Sequence, residues 1–157
     1  METASQTTTV LLIDPNNEDR QYYSERLKIS SQGYTVLEAS NAERGLAICR
    51  AERIDCVVTE LHLPDMSGFQ VLIRLNPIVH RSLHTPVIAL SHFILPSIIE
   101  AAKKLGAQSY LIKSHASCDD LDRAIQKAIA RVEVARKEIY GEREHTGISE
   151  GKIAKSS

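Results

Sequence analysis

At 157 residues, the chain is about one domain long, and a domain of that size can bury roughly 70% of the surface its unfolded chain exposes. Hydrophobic residues make up 43% of it and charged residues 25%, ordinary values that disfavour a disordered or fibrous class. A net charge of -1 with both signs interspersed supplies no long-range field for gathering nucleic acid or an anionic membrane.

The segment "METASQTTTV" lacks the basic start and apolar stretch of a signal peptide, and no run approaches the roughly 18 apolar residues of a membrane span. A cytoplasmic location is expected, with neither nucleic acid nor membrane as a partner. Cys49, Cys56 and Cys118 show no metal-ligand spacing, so they read as reduced, structural thiols.

In chain order, the apolar run "TVLLID" is followed by a helical pattern from Asn17 to Ile29, and "YTVLEAS" by one from Asn41 to Ala51. Ser40 or Asn41 is placed to cap the second helix. "CVVTE" precedes a short helix near Phe69 to Leu75, and "PVIALS" precedes one from Pro96 to Leu105. Pro96 suits a first helical turn and Gly106 a helix end. "SYLIK" then leads to a last helix opening after Ser117. Strands this continuously apolar are buried on both faces, which requires helices on both sides of a parallel sheet. The expectation is a doubly wound α/β domain of five βα units.

Ligands of open α/β sheets bind outside the carboxyl ends of the strands. Four of the five runs end there in a polar side chain: Asp14, Glu60, Ser91 and Lys113. Together they would suit a phosphoryl group, with lysine and hydroxyl donors for its oxygens and a divalent cation between carboxylate and phosphate. Strand ends are also polar simply because they face water, so spacing alone leaves the matter open. A dinucleotide or P-loop site is disfavoured, because the first turn, "DPNNEDR", contains no glycine to let backbone N–H groups approach phosphates.

From about Thr9 to Ala130 the chain resembles the receiver domain of two-component response regulators. The resemblance rests on "VLLID", "LHLPDMSGFQVL", "TPVIALS" and "LGAQSYLIK". It implies a flavodoxin-like (CheY-like) five-stranded sheet of order 2-1-3-4-5 and a phosphorelay role in signal transduction. Protein partners follow, such as a histidine kinase or a downstream effector. In that family the third strand ends in the aspartate that accepts the phosphoryl group, and the matching residue here is Glu60. A pair of acids after the first strand helps to hold magnesium, and the matching pair is Asp14 and Pro15. Ser91 matches the switch hydroxyl, Tyr110 the aromatic switch and Lys113 the lysine that contacts phosphoryl oxygens. Ser114 stands where the family usually has proline, which argues against a cis peptide at that bond. His92 stands where a small side chain is typical.

Phosphoryl transfer depends on in-line positioning and charge neutralisation. The additional methylene of glutamate moves its carboxylate roughly 1.5 Å outward, and Pro15 removes a hard oxygen ligand, leaving at most a weak magnesium site on Asp14 and no other cofactor. The expectation is a non-enzymatic pseudo-receiver that is independent of phosphorylation and acts through protein contacts. Two other readings stay open: a true phosphoacceptor with residual phosphorylation, and a purely structural dimerisation or scaffold domain. Glu60 could also be only a surface acid paired with Lys113. His62 and His92 flank the inferred pocket, where imidazole and carboxylate could take a transition metal, although histidines at strand ends are commonly just solvated. Ile94, Leu95, Ile98 and Ile99 give the fourth helix more apolar surface than one sheet-facing stripe needs.

In the last helix Leu121, Ile125, Ala128, Val132, Ala135 and Ile139 are spaced 4, 3, 4, 3, 4, a heptad seam that predicts homodimerisation. The expected division is a disordered start (1–8), a receiver-like domain (9–130), an extension of the last helix (131–144) and a disordered tail (145–157).

Overall fold

Side chains in a strand alternate between the two faces of a sheet, and the first strand shows how this chain uses both. In β1 (Thr9–Ile13), Val10 and Leu12 pack on one side while Leu11 and Ile13 pack on the other, all of them buried. The computed structural model describes residues 6–75 and 85–153. Its remaining strands are β2 (Thr35–Ala39), β3 (Cys56–Thr59), β4 (Val87–Ser91) and β5 (Ala107–Ile112). All four pairings are parallel, in the order β2-β1-β3-β4-β5.

Five helices alternate with these strands: α1 (Asn17–Ile29), α2 (Ala42–Ala51), α3 (Gly68–Leu75), α4 (Pro96–Lys104) and α5 (Cys118–Ile153). One face of the sheet packs against α1 and α5 through Tyr23, Leu27, Leu121, Ile125 and Ala128. The other packs against α2, α3 and α4 through Leu46, Val71, Leu72 and Ala102. This is the doubly wound architecture expected from the apolar runs, with the flavodoxin-like strand order that the resemblance implies.

Local chemistry explains the helix starts. Asn16 caps α1 by accepting the Asp19 N–H at 3.0 Å, and Asn41, rather than Ser40, caps α2 by accepting the Arg44 N–H at 2.8 Å. Ser117 and Asp120 cap α5 reciprocally: the Ser117 hydroxyl accepts the Asp120 N–H at 3.1 Å, and the Asp120 carboxylate accepts the Ser117 N–H at 2.8 Å. Pro96 opens α4, and Gly106, with φ near +110°, follows its end.

Residues 1–5 and 154–157 of the expected disordered ends lie outside the described residues. Within them, Thr8 already gives its carbonyl to the Thr35 N–H at 3.0 Å. The helical span is also longer than the expected extension 131–144, since α5 continues to Ile153. Its last turns contain no proline, the strongest helix breaker, although Gly141, Gly147 and Gly151 each weaken the helix by about 1 kcal/mol. The three cysteines are free; burial pushes the Cys49 thiol up to about 11 and the Cys56 thiol higher still.

The turn after β3 is tied to α2. Asp65 accepts the Ala42 N–H at 3.0 Å and the Glu43 N–H at 2.8 Å, so two orphan donors of α2 are satisfied from another loop. Slight burial pulls the Asp65 carboxyl up, but the Glu43 and Ala42 N–H groups outweigh it and hold it below its ordinary value. A depressed carboxyl contributes stability above its unfolded value and loses it as pH falls through the folded one. Asp65→Ala should therefore cost about 1 kcal/mol in urea unfolding at neutral pH, and the difference from wild type should shrink in acid.

Candidate functional site

The carboxyl ends of β1, β3, β4 and β5 bring Asp14, Glu60, Ser91 and Lys113 into one cluster. Asp14 is 1% exposed, Glu60 2% and Ser91 0%, so burying these polar groups requires partners. Lys113 supplies them. Its Nζ lies 2.7 Å from Asp14 Oδ2, 3.0 Å from Glu60 Oε2 and 2.9 Å from Asp19 Oδ2. Its own backbone N–H donates to the Ser91 carbonyl at 2.9 Å, which fixes where the side chain leaves the sheet.

Each carboxylate is also oriented by its own loop. Asp14 Oδ1 accepts the Asn16 N–H at 2.9 Å, and the Asp14 carbonyl accepts from Arg20 Nη1 at 2.7 Å. Arg20 is itself held by Glu38 on β2, at 3.3 Å. Glu60 turns its longer side chain back over its own loop. Its Oε1 accepts the Ser91 hydroxyl at 2.5 Å, the Leu61 N–H at 2.8 Å and the His62 N–H at 3.3 Å. Its Oε2 faces Lys113 and, at 3.2 Å, His92 Nδ1.

The turn "LHLPDMSG" makes this possible. Leu61 and Leu63 bury into the core while His62 stays outside. Gly68 lets α3 begin against the strand end, since a Cβ there would meet Leu61 Cα at 2.5 Å and the Glu60 carbonyl oxygen at 2.8 Å.

The charges compete. For Glu60, burial raises the carboxyl, but the Ser91 hydrogen bond and the Lys113 charge outweigh it and hold the group below its ordinary value. For Asp14, burial wins over Lys113 and Asn16, and the carboxyl is raised. Burial alone would lower the Lys113 ammonium, but its hydrogen bonds to Asp14 and Asp19 and the charges of Asp14 and Glu60 push it well up.

The switch positions are connected to the same cluster. Besides donating to Glu60, Ser91 Oγ accepts the Phe93 N–H at 3.3 Å. Tyr110 is half-buried and donates its hydroxyl to the Phe93 carbonyl at 2.9 Å. The β4–α4 connection is thus held at one residue from both sides. His92 stacks near Phe93, with centroids 4.4 Å apart, and His62 lies 6.3 Å from His92. Both imidazoles are exposed, and no cis peptide occurs among the described residues, so Ser114 continues from Lys113 in the trans form.

The model of the response regulator receiver domain matches residues 10–126. The chain belongs to the response regulator receiver family. It is 29% identical over 126 residues to the sensory/regulatory protein RpfC of Xanthomonas campestris, with 80% of this chain and 17% of that protein covered. With the transcriptional regulatory protein GlrR of Escherichia coli it shares 30% identity, covering 74% and 25%, and with the nitrate/nitrite response regulator NarL of the same organism 29%, covering 78% and 55%. The match therefore spans about half of NarL and a quarter or less of the others. A receiver domain from Clostridium thermocellum superposes with a TM-score of 0.71 at 31% identity, over 82% of this chain and 98% of that one. A CheY-like receiver from Methanospirillum hungatei superposes at 0.72 with 21% identity, over 83% and 99%, which shows the shared fold. This receiver is thus a module of two-component signalling by descent, and no helix among its described residues is long and apolar enough to cross a membrane.

The magnesium that the family implies does not fit the residues present. Pro15 offers no side-chain oxygen, both oxygens of Asp14 are engaged, and the point on which the carboxylates converge is held by the Lys113 ammonium. Among the described residues no group of His, Cys, Asp or Glu is arranged to hold a metal ion.

Asp19 was not legible as a site residue. It sits in the first turn of α1, where an acid reads as a partner of the helix dipole, and its lysine is 94 residues away in sequence. The only available signal was an acid one turn beyond the strand-end Asp14.

Removing the ammonium leaves buried carboxylates uncompensated, which costs about 3–5 kcal/mol. Lys113→Ala should therefore lose stability of that order at pH 7. Protonation relieves an unpaired buried carboxylate, so the deficit should narrow as pH falls, read as urea midpoints at pH 7 and pH 5. In the wild type the two carboxyls oppose each other: lowered Glu60 favours folding above its unfolded value, and raised Asp14 favours it at lower pH.

Proposed function

We propose that this receiver works as a phosphorylation-independent, non-enzymatic signalling module of the cytoplasm, acting through contacts with other proteins. The observation that carries the reading is where the Glu60 carboxylate lies. Ser91, the Leu61 N–H and Lys113 all donate to it, and these are donors suited to phosphoryl oxygens. The chain's own carboxylate engages them continuously, with one negative charge where a phosphoryl group would bring about two. A nucleophile so enclosed has no in-line path for a phosphodonor, and His92 lies against its second oxygen. The inward hydrogen bond of Tyr110 to Phe93 supports an arrangement of the switch residues that needs no added phosphate.

The protein partners are of the histidine-kinase or effector class, and the receiver pairs with a second copy through the free part of α5. Leu121, Ile125 and Ala128 are buried against the sheet of their own domain, which leaves Val132, Ala135 and Ile139 as the seam. Ile139 is 42% exposed, and Val134 and Tyr140 are exposed beside it. So short a seam supports only modest association, roughly micromolar.

Incubation with acetyl phosphate and magnesium should give no phosphoryl adduct by intact mass; a stoichiometric, magnesium-dependent adduct overturns the reading. Glu60→Asp combined with Pro15→Asp should recover phosphorylation through the retained Ser91 and Lys113.

Val132→Glu with Ile139→Glu should convert a dimer to a folded monomer by light scattering. A wild type that is monomeric at high micromolar concentration excludes this interface.

A further inference from the structure

The site is built around a positive charge that belongs to the chain itself. Three carboxylate oxygens from three elements lie within 3.0 Å of a single nitrogen, Lys113 Nζ: Asp14 from the end of β1, Asp19 from α1 and Glu60 from the end of β3. We propose that the Lys113 ammonium is the resident cation of this site, positioned by Asp19, and that in the arrangement set by Pro15 and Glu60 it excludes divalent cations.

Asp19 compensates for Pro15. The chain has lost an acid directly after Asp14, and a carboxylate one helical turn further on reaches the same region. Its backbone is fixed by the N–H bond to Asn16, and its side chain, 42% exposed, brings Oδ2 onto the lysine from the solvent side. The three oxygens surround the nitrogen at 2.7 to 3.0 Å. Hard divalent cations take oxygen ligands at about 2.0–2.6 Å, so the oxygens are not arranged for a metal as they stand and would have to close inward, once the ammonium is gone, to hold calcium or manganese.

Two cations cannot share that point. An entering ion would have to expel an ammonium that burial has deprived of water and that holds all three carboxylates. The remaining oxygens do not offer a second place. Asp14 Oδ1 is taken by Asn16, and Glu60 Oε1 by Ser91 and Leu61. The other charged or titratable groups facing the cluster are Arg20, on the Asp14 carbonyl, and His92, on Glu60 Oε2; neither supplies a ligand oxygen. Asp19 is thus a positioning residue, acting through Lys113.

Manganese alone is the probe, followed by water-proton relaxation on the full chain without phosphodonor. The wild type should show no saturable binding up to about 10 mM, whereas Lys113→Met should bind at least about 100-fold more tightly, with three carboxylates and waters as ligands. Adding Asp19→Asn to that variant should weaken binding about tenfold. If Lys113→Met is unfolded alone, manganese should restore its cooperative thermal transition. Independently, Asp19→Asn in the wild-type background should shift the Lys113 Cε resonance at neutral pH, and Asp19→Glu should bring it back.

Sub-millimolar manganese binding by the wild type overturns the proposal. So does a Lys113→Met variant that binds no more tightly than wild type, or an Asp19→Asn variant whose Lys113 Cε resonance is unchanged. A wild type that binds manganese yet gains no phosphoryl adduct overturns this inference alone and leaves the reading of Glu60 intact.

Discussion

A buried ammonium shared by three carboxylates is the constraint on which the rest of the receiver depends. Taking charges out of water costs several kcal/mol per ion, and that cost is recovered only where geometry is good and leftover lone pairs are satisfied. Here they are satisfied by backbone N–H groups of the loops in which the acids sit: Asn16 for Asp14, and Leu61 and His62 for Glu60. The ion cluster therefore fixes the loops after β1 and β3 as firmly as the loops fix the cluster. Through the Lys113 backbone it also binds β5, an edge strand, to the Ser91 end of β4.

The same interaction decides what the switch residues can do. Ser91 has one hydroxyl proton and gives it to Glu60, leaving the oxygen as acceptor for the Phe93 N–H. Tyr110 takes the Phe93 carbonyl from the other side. A displacement of the Glu60 carboxylate would release Ser91, then Phe93, and with it the exposed Ile94 and Leu95 just before α4.

Much of the fold was legible because each element announces itself locally. Apolar runs ending in Asp14, Glu60 and Ser91 gave the strands, and Asn41, Pro96 and Ser117 gave helix starts to within a residue. Strand order was not available from periodicity; it came with the family resemblance. What stayed hidden depends on distance in sequence. Asp19 and Lys113 meet only because β1 and β5 lie on either side of β3 and β4, which no local pattern encodes. The direction of Glu60 was hidden for a different reason. One additional methylene gives reach, but whether the carboxylate extends outward or folds back is decided by the Leu61 N–H and Ser91, which the linear sequence does not place.

The last helix shows the limit of reading a period without a partner. A 4-3 spacing states that one stripe is apolar; it does not state what covers it. From Leu121 to Ala128 the stripe is covered by the chain's own sheet, Val132 is half-buried where it lines a recess with Ile54 and Pro86, and from Glu133 to Gly141 the helix is exposed. The helix begins after Ser117, beside Lys113 at the carboxyl ends of the strands. By Ile129 and Glu133 it lines a recess with Thr9 and Asp55 at their amino ends. It therefore runs the full height of the domain and leaves on the side opposite the site. The helix is anchored on the way by Leu121, Ile125 and Ala128 in the core, so any displacement passed along it to its free end must also shift that packing.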